Sequence, residues 1–139
     1  MSAREDLAAR QASLVAALVA GAPPPSGVDA ERVRIQSAAL LRKRGRSLAH
    51  AEPELAAALG PRFGTAFTAY AAGRPQDGCS ANDADEFARF LLKSEHARDA
   101  EVRRVARHIH LRRLLHRATR AAPFRGHAPE PAARPLPLG

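Results

Sequence analysis

The sequence predicts an all-α fold, a compact bundle of about five helices followed by a long basic helix and a Pro-rich tail. Hydrophobic residues make up 45% of the chain but aromatic residues only 4%, so the core must be built mainly from Leu, Val and Ala, and Leu and Ala favour helices. No stretch alternates polar and apolar residues for long enough to indicate a strand. We divide the chain into a helical domain (1–93), a basic amphipathic helix (94–122) and a Pro-rich tail (123–139) that we expect to be disordered.

The first helix is predicted over residues 3–20. Ser2 and Glu5 fit a capping box at its start, and Gly21 followed by three prolines ends it. Its apolar residues share one helical stripe: Leu7, Leu14 and Leu18.

The second helix begins after Asp29, a favourable N-cap, and ends near Ala51 because Pro53 disfavours helix before it. Gly45 interrupts the pattern and is expected to mark a bend. We expect the buried side to consist of Val33, Leu40, Leu41 and Leu48. A short helical piece over 54–59 then stops at Gly60.

Pro61 can open the next helix at its first turn. This helix carries an aromatic face made of Phe63, Phe67 and Tyr70, and Gly73 begins the loop that follows it. Asn82 or Asp83 is predicted to cap a fifth helix, whose apolar side consists of Phe87, Phe90 and Leu91.

Positive charge is concentrated in the last third of the chain. The net charge is +8, of which residues 1–95 contribute +1 and residues 96–139 contribute +7. A sixth helix, predicted over about 95–121, carries most of this charge. Such an asymmetry separates a packed domain from a segment that meets an acidic partner.

The apolar face of the sixth helix changes side near Ile109. Val105, Ala106 and Ile109 lie within about 60° of Val102 on a helical wheel. The next apolar residues lie on the opposite side, about 170° away: Leu111, Leu114, Leu115 and Ala118. Either the helix breaks there, or one straight helix packs its first half on the domain and offers its second half to another molecule.

We therefore predict a partner-binding surface on this helix. It consists of Arg103, Arg104, Arg107, Leu111, Arg112, Arg113, Leu114, Leu115, Arg117 and Arg120. A secondary basic patch is predicted at Arg42, Lys43, Arg44 and Arg46. The arginines could form a solvated face, contact nucleic-acid phosphates, or border a helix that docks on an acidic protein surface.

No residue pattern indicates catalysis or a metal site. His108, His110 and His116 scatter around the helix without the i, i+4 spacing of helical metal ligands, and Cys79 is the only cysteine. The nucleophile motif GxSxG and the glycine-rich nucleotide-binding motifs are missing. We expect solvated histidines, no cofactor and no enzymatic activity.

No membrane contact is expected either. The longest apolar stretch, residues 13–22, is far shorter than the roughly 20 residues of a membrane span. The acidic start of the chain does not fit a secretory signal, so we expect a cytoplasmic protein.

The middle of the chain carries a pattern of turn and core residues in a fixed order. The run LAHAEPELAAALGPRFGTAFTAYAAGRP, residues 48–75, followed by ANDADEFARFLL, resembles the N-terminal helical domain of the HvfC/BufC-type partner proteins, in particular a short actinobacterial variety. The residues that stand at the family's places are Pro53, Leu59, Gly60, Phe63, Phe67, Tyr70, Pro75, Phe87 and Leu91. The likeness covers residues 7–92 roughly. Glu52, where the family has Phe, and Gln36-Ser37, where it often has Tyr-Arg, depart from the pattern.

The resemblance implies a helical domain, once labelled as DNA-binding, that belongs to the partner of a multinuclear non-haem iron-dependent oxidative enzyme. In the family, that partner presents a ribosomally made precursor peptide, and the metal lies in the other subunit. The family's second domain is expected to be missing from this chain. We therefore predict a non-catalytic adaptor that docks on a peptide-modifying metalloenzyme and helps present its precursor peptide. The alternative is a nucleic-acid-binding protein that uses the Arg-rich helix.

Overall fold

The computed structural model describes residues 2–121, and these form an all-α bundle in which no strand occurs. The described residues contain six α-helices: α1 (Ala3–Ala20), α2 (Ala30–Ala51), α3 (Pro53–Leu59), α4 (Phe63–Ala71), α5 (Ser80–Lys93) and α6 (Ala100–Ala121). Short 3₁₀ turns precede α4 (Gly60–Arg62) and α6 (Glu95–Arg98). The predicted fold class is confirmed, whereas the predicted disordered tail lies outside the described residues.

Helix α1 begins and ends as its sequence predicts. The Ser2 backbone N–H donates to Glu5 at 2.7 Å and the Glu5 backbone N–H donates to the Ser2 hydroxyl at 3.3 Å, which completes the capping box. Gly21 ends the helix in the left-handed conformation at φ 71°. The helix packs on α2 and buries only Ala17, and Leu7 stays 57% exposed. Its apolar stripe is thus only partly covered.

Helix α2 starts at the predicted cap, where Asp29 accepts from the Glu31 backbone N–H at 3.0 Å. The expected interruption at Gly45 is wrong, because the helix continues through this residue. Gly45 is instead buried against α4, and an added Cβ would lie 3.0 Å from Cδ1 of Phe67. The predicted burial of Leu40 is also wrong, since this side chain is 42% exposed.

Gly45 provides a prediction on stability. Gly45→Ala should lower the free energy of unfolding by about 1–2 kcal/mol, because the methyl group crowds a buried ring, and overpacking outweighs the gain in helix propensity. Gly64→Ala is the matched control. An added Cβ at Gly64 meets no atom within 4 Å, so that variant should gain about 0.5 kcal/mol. Urea denaturation of both variants measures the two values, and a stabilised Gly45→Ala would contradict the close packing of Phe67 on Gly45.

The core lies between α3, α4, α5 and the first half of α6. Phe67, Tyr70 and Phe87 are almost completely buried, and their ring centroids lie 5.2–5.8 Å apart in tilted or edge-on arrangements. The predicted aromatic face of α4 is thereby confirmed. Helix α5 begins at Ser80 with Cys79 at the cap position, three or four residues before the predicted caps Asn82 and Asp83. Asp83 therefore lies inside the helix, where its side chain faces the core.

Candidate partner-docking surface on the last helix

Helix α6 is unbroken from Ala100 to Ala121, so the second of the two explanations for its changing apolar face applies. Asp99 caps it by accepting from the Glu101 backbone N–H at 3.0 Å. The first half packs on α3 and α5 through residues that are 0–3% exposed: Val102, Val105, Ala106 and Ile109. The predicted near face is confirmed.

Polar residues continue this near face beyond Ile109. Nδ1 of His110 lies 2.6 Å from Oδ1 of Asp85, a carboxylate on α5 that is 1% exposed. Arg113 donates to the Asn82 side chain, and Arg117 lies 3.8 Å from the second carboxylate oxygen of Asp85. The expectation of a fully solvated His110 is therefore wrong, because α5 supplies its partner. These contacts hold α6 against the start of α5 through polar groups.

Arg112 forms a further contact with α3. Its guanidinium pairs with Glu52, which is the residue before the start of that helix. Glu52 makes no side-chain capping bond with α3, although its position favours that role. The ion pair instead ties the second half of α6 to the α2–α3 junction.

The leucines of the second half point away from the domain. Leu111, Leu114 and Leu115 are 58%, 44% and 68% exposed, and we call these three residues the leucine strip. A shallow groove of about 740 Å³ lies beside it, bordered by Leu111, Leu115, His108, Arg112, His116 and Thr119. A contiguous exposed apolar strip on an anchored helix has the form of a protein-binding surface.

The seven arginines of α6 differ in whether their guanidinium groups contact other polar groups of the chain. Arg103 donates to the Ala97 carbonyl oxygen at 2.8 Å, and Arg104 pairs with Glu101 at 2.6 Å. This hydrogen bond raises the pKa of Arg104 and lowers the pKa of Glu101. Together with the three arginines already described, five of the seven contact polar groups of the chain. Within residues 2–121, Arg107 and Arg120 form no ion pair.

The secondary basic patch on α2 is divided. Arg42, Lys43 and Arg46 are exposed. Arg44 instead turns inward: it donates to both carboxylate oxygens of Asp83, at 2.5 and 2.8 Å, and to the Arg74 carbonyl oxygen at 2.6 Å.

Arg44 and Asp83 form the centre of a buried polar cluster. The Tyr70 hydroxyl donates to Asp83 at 2.9 Å, and Asp83 is 4% exposed. Burial raises the pKa of Tyr70 well above its ordinary value, and the hydrogen bond to Asp83 is the second largest cause of this increase. The hydrogen bond to Asp83 likewise raises the pKa of Arg44. Arg44 therefore belongs to the interior of the fold, and a contact surface on α2 would use its three exposed basic neighbours.

Sequence reasoning missed Asp83, Asp85, Asn82 and Glu52 as partners of the basic residues. The sequence contains one indication that Asp83 is buried. Asp83 stands four residues before Phe87 and eight before Leu91, on the same apolar stripe of α5. A carboxylate on an apolar stripe needs a cationic or hydrogen-bonding partner inside the fold. The other three residues carry no comparable signal, since their partners are set by how the helices pack.

Two further properties concern residues 2–121 only. These residues contain no group of three or more His, Cys, Asp or Glu side chains arranged to hold a metal ion. None of their helices combines the length and apolar character that a bilayer crossing needs.

Fold and surface together define a small helical-bundle domain whose last helix exposes an apolar strip on its second half. The sequence profile described as "SCO6045-like, C-terminal domain" matches residues 8–93, and the chain belongs to this family. The match covers most of α1 and all of α2 to α5, whereas α6 follows the matched region.

A relative named UPF0276 protein, from Streptomyces avermitilis, is 44% identical to this chain over 105 residues. The aligned region is 76% of this chain but 22% of the relative, so the chain spans about a fifth of the length of that protein. No solved structure matches the chain.

Proposed function

We propose that this chain is a non-catalytic adaptor that docks on a larger protein through the leucine strip of α6. Following the resemblance to the HvfC/BufC-type partner proteins, we propose a peptide-modifying multinuclear iron enzyme as that larger protein. The adaptor would help to present the precursor peptide. The iron would be held by the enzyme, and the adaptor would act by binding and positioning.

The orientation of α6 is the observation that carries this proposal. Val102, Val105 and Ile109 attach one side of the helix to the core, which leaves the leucine strip on the other side. Because the helix is already folded and anchored, binding through the strip costs little additional ordering of the backbone. Arg107 is exposed one helical turn before Leu111 on the same side of the helix, and it suits an acidic rim on the partner.

The relative from Streptomyces avermitilis supports the same proposal. Its similarity to this chain occupies 22% of its length, so a domain of this kind is joined there to a much larger remainder. In the relative, this domain and the larger remainder belong to one polypeptide. We propose that the same two parts associate as separate chains here. The family name, which describes a C-terminal domain, agrees with that arrangement.

Co-expression with a multinuclear iron enzyme from a neighbouring gene tests the proposal. We expect a stable complex that survives affinity purification and gel filtration at low and moderate salt, because apolar contacts are not screened by salt. The chain alone should show no turnover of the precursor peptide. Separate elution of the two proteins at both salt concentrations would contradict the proposal.

Nucleic-acid binding is the second candidate, and the exposed arginines of α6 favour it. Arg107 and Arg120 would contact phosphates, with an affinity that falls as salt rises. The other five arginines already contact polar groups of the chain and would contribute less to phosphate binding. We therefore expect the affinity for nucleic acid to fall only gradually as the salt concentration rises. Gel shifts with duplex and single-stranded DNA at low salt test this candidate, and no shift would rule it out.

A further inference from the structure

A second apolar surface lies along α2, and none of its lining residues belongs to α6. It is a groove of about 720 Å³ that follows α2 from Ala30 to Leu48, with the end of α1 on one side and the segment between α4 and α5 on the other. At 1.5 Å per residue, this stretch of α2 is about 27 Å long, or about five helical turns. The groove therefore has the length of a docked peptide helix.

The floor of this groove is apolar and incompletely covered. Its apolar lining includes Leu18, Val19, Val33, Leu40 and Leu41. Val19 and Leu40 are 41% and 42% exposed. Helix α1 packs on α2 and sends only Ala17 into the interior, so the two helices leave a continuous apolar surface.

The charged lining of the groove is predominantly positive. Arg34, Lys43 and Arg44 line it, and Asp83 is the only acidic residue among the lining residues. The charge of Asp83 is balanced by Arg44, which binds it at 2.5 Å. Arg34 pairs with Glu31 of the same helix at 2.7 Å, so Lys43 is the lining cation that forms no ion pair within residues 2–121. An acidic ligand therefore fits this groove electrostatically, and a basic one does not.

We propose that this groove binds an acidic amphipathic helix of a partner polypeptide. Apolar anchors spaced at i, i+3 or i+4, and i+7 would lie on Leu40, Leu41 and Val19, in the way that amphipathic helices bind apolar grooves. A carboxylate on the flank of the ligand helix would pair with Lys43. This site goes beyond the proposed function, because it requires neither α6 nor the iron enzyme.

Fluorescence anisotropy with the full chain and synthetic peptides tests the site. The probe is a fluorescein-labelled helix of about 18 residues, made of Glu and Leu with Leu at i, i+3, i+4 and i+7. A Lys/Leu peptide of the same pattern and a scrambled Glu/Leu peptide are the controls. We expect the patterned Glu/Leu peptide to bind at least about tenfold more tightly than either control. Equal binding of all three peptides would overturn the proposal.

Two variants and one matched control locate the binding. Leu40→Asp and Lys43→Glu should each weaken binding of the Glu/Leu peptide about tenfold, because they remove an apolar contact or reverse a charge in the groove. Leu115→Asp places the same charge at an exposed leucine of α6 and should leave the affinity unchanged. Circular dichroism of the three variants checks that each of them folds. Weakening by Leu115→Asp alone would overturn the proposal.

Two further measurements test whether something other than a partner helix occupies the groove. A peptide of residues 122–139 that displaces the Glu/Leu probe at lower concentration than unlabelled Glu/Leu peptide would assign the groove to this chain's own last residues. A dimer of the full chain in analytical ultracentrifugation, lost in Leu40→Asp, would assign it to a second copy. Either result would overturn the proposal, whereas complex formation with the iron enzyme is measured separately and does not depend on it.

Discussion

Asp83→Ala should lower the free energy of unfolding by about 3–5 kcal/mol, the range expected when one partner of a buried ion pair is removed. The carboxylate is 4% exposed and accepts two hydrogen bonds from Arg44 and one from Tyr70. The alanine variant leaves a guanidinium with 13% of its side-chain surface exposed and without its counter-charge. Such a group cannot recover its hydration without local opening of the fold.

Asp77→Ala is the control for this variant. Asp77 lies on the exposed loop before α5, so its removal should change stability by less than about 0.5 kcal/mol. Urea denaturation followed by circular dichroism compares both variants with the parent protein. A loss of less than about 1 kcal/mol for Asp83→Ala would mean that the cluster of Arg44, Asp83 and Tyr70 contributes little net stability, and the predicted role of this cluster in the fold would be wrong.

Leu115→Asp and Leu114→Asp should each weaken binding of the enzyme by about 30-fold or more. This factor corresponds to the roughly 2 kcal/mol that a buried interface anchor contributes. The stability of the free chain should change by less than about 0.5 kcal/mol, because both leucines are exposed in it. Isothermal titration calorimetry with the purified enzyme measures the affinity, and denaturation measures the stability.

Ile35→Asp is the matched control for the leucine strip. Ile35 is 55% exposed on α2, comparable to the strip leucines, and it lines neither of the two grooves. It should bind the enzyme with the affinity of the parent chain. An equal loss for Ile35→Asp would indicate a nonspecific effect of added negative charge, and the assignment of the interface to α6 would fail.

The helices could be predicted from the sequence because their signals are local. Ser2 with Glu5 and Asp29 mark helix starts within one turn, and the observed caps form at those residues. The change of apolar face at Ile109 is likewise a matter of helical periodicity. The order of residues alone predicts it, and the burial of Ile109 beside an exposed Leu111 agrees with it.

The pairing of charges could not be predicted, because it depends on which helices become neighbours. Arg112 and Glu52 are 60 positions apart in the sequence, and Arg44 and Asp83 are 39 positions apart. Few carboxylates lie near the arginines of α6 along the chain, whereas folding brings them from the α2–α3 junction and α5. The inward orientation of Arg44 and the partner of His110 follow from the same long-range packing.

The same distinction applies to Gly45. A glycine within a helical pattern is a local signal for a bend or weak point. In the folded chain it is a packing residue, because the ring of Phe67 occupies the space that a side chain would need. Only the approach of α4 to α2 decides between these two roles.

Amide hydrogen exchange of the chain, alone and with the enzyme bound, tests the central claim most directly. Exchange reports local opening, and an interface that covers one stretch of a helix slows exchange in that stretch. We predict slower exchange in the complex over residues 111–121, which carry the leucine strip, and unchanged exchange in α5, whose core residues are buried in the free chain. Unchanged exchange over residues 111–121 in a saturated complex would contradict the claim that α6 is the docking surface.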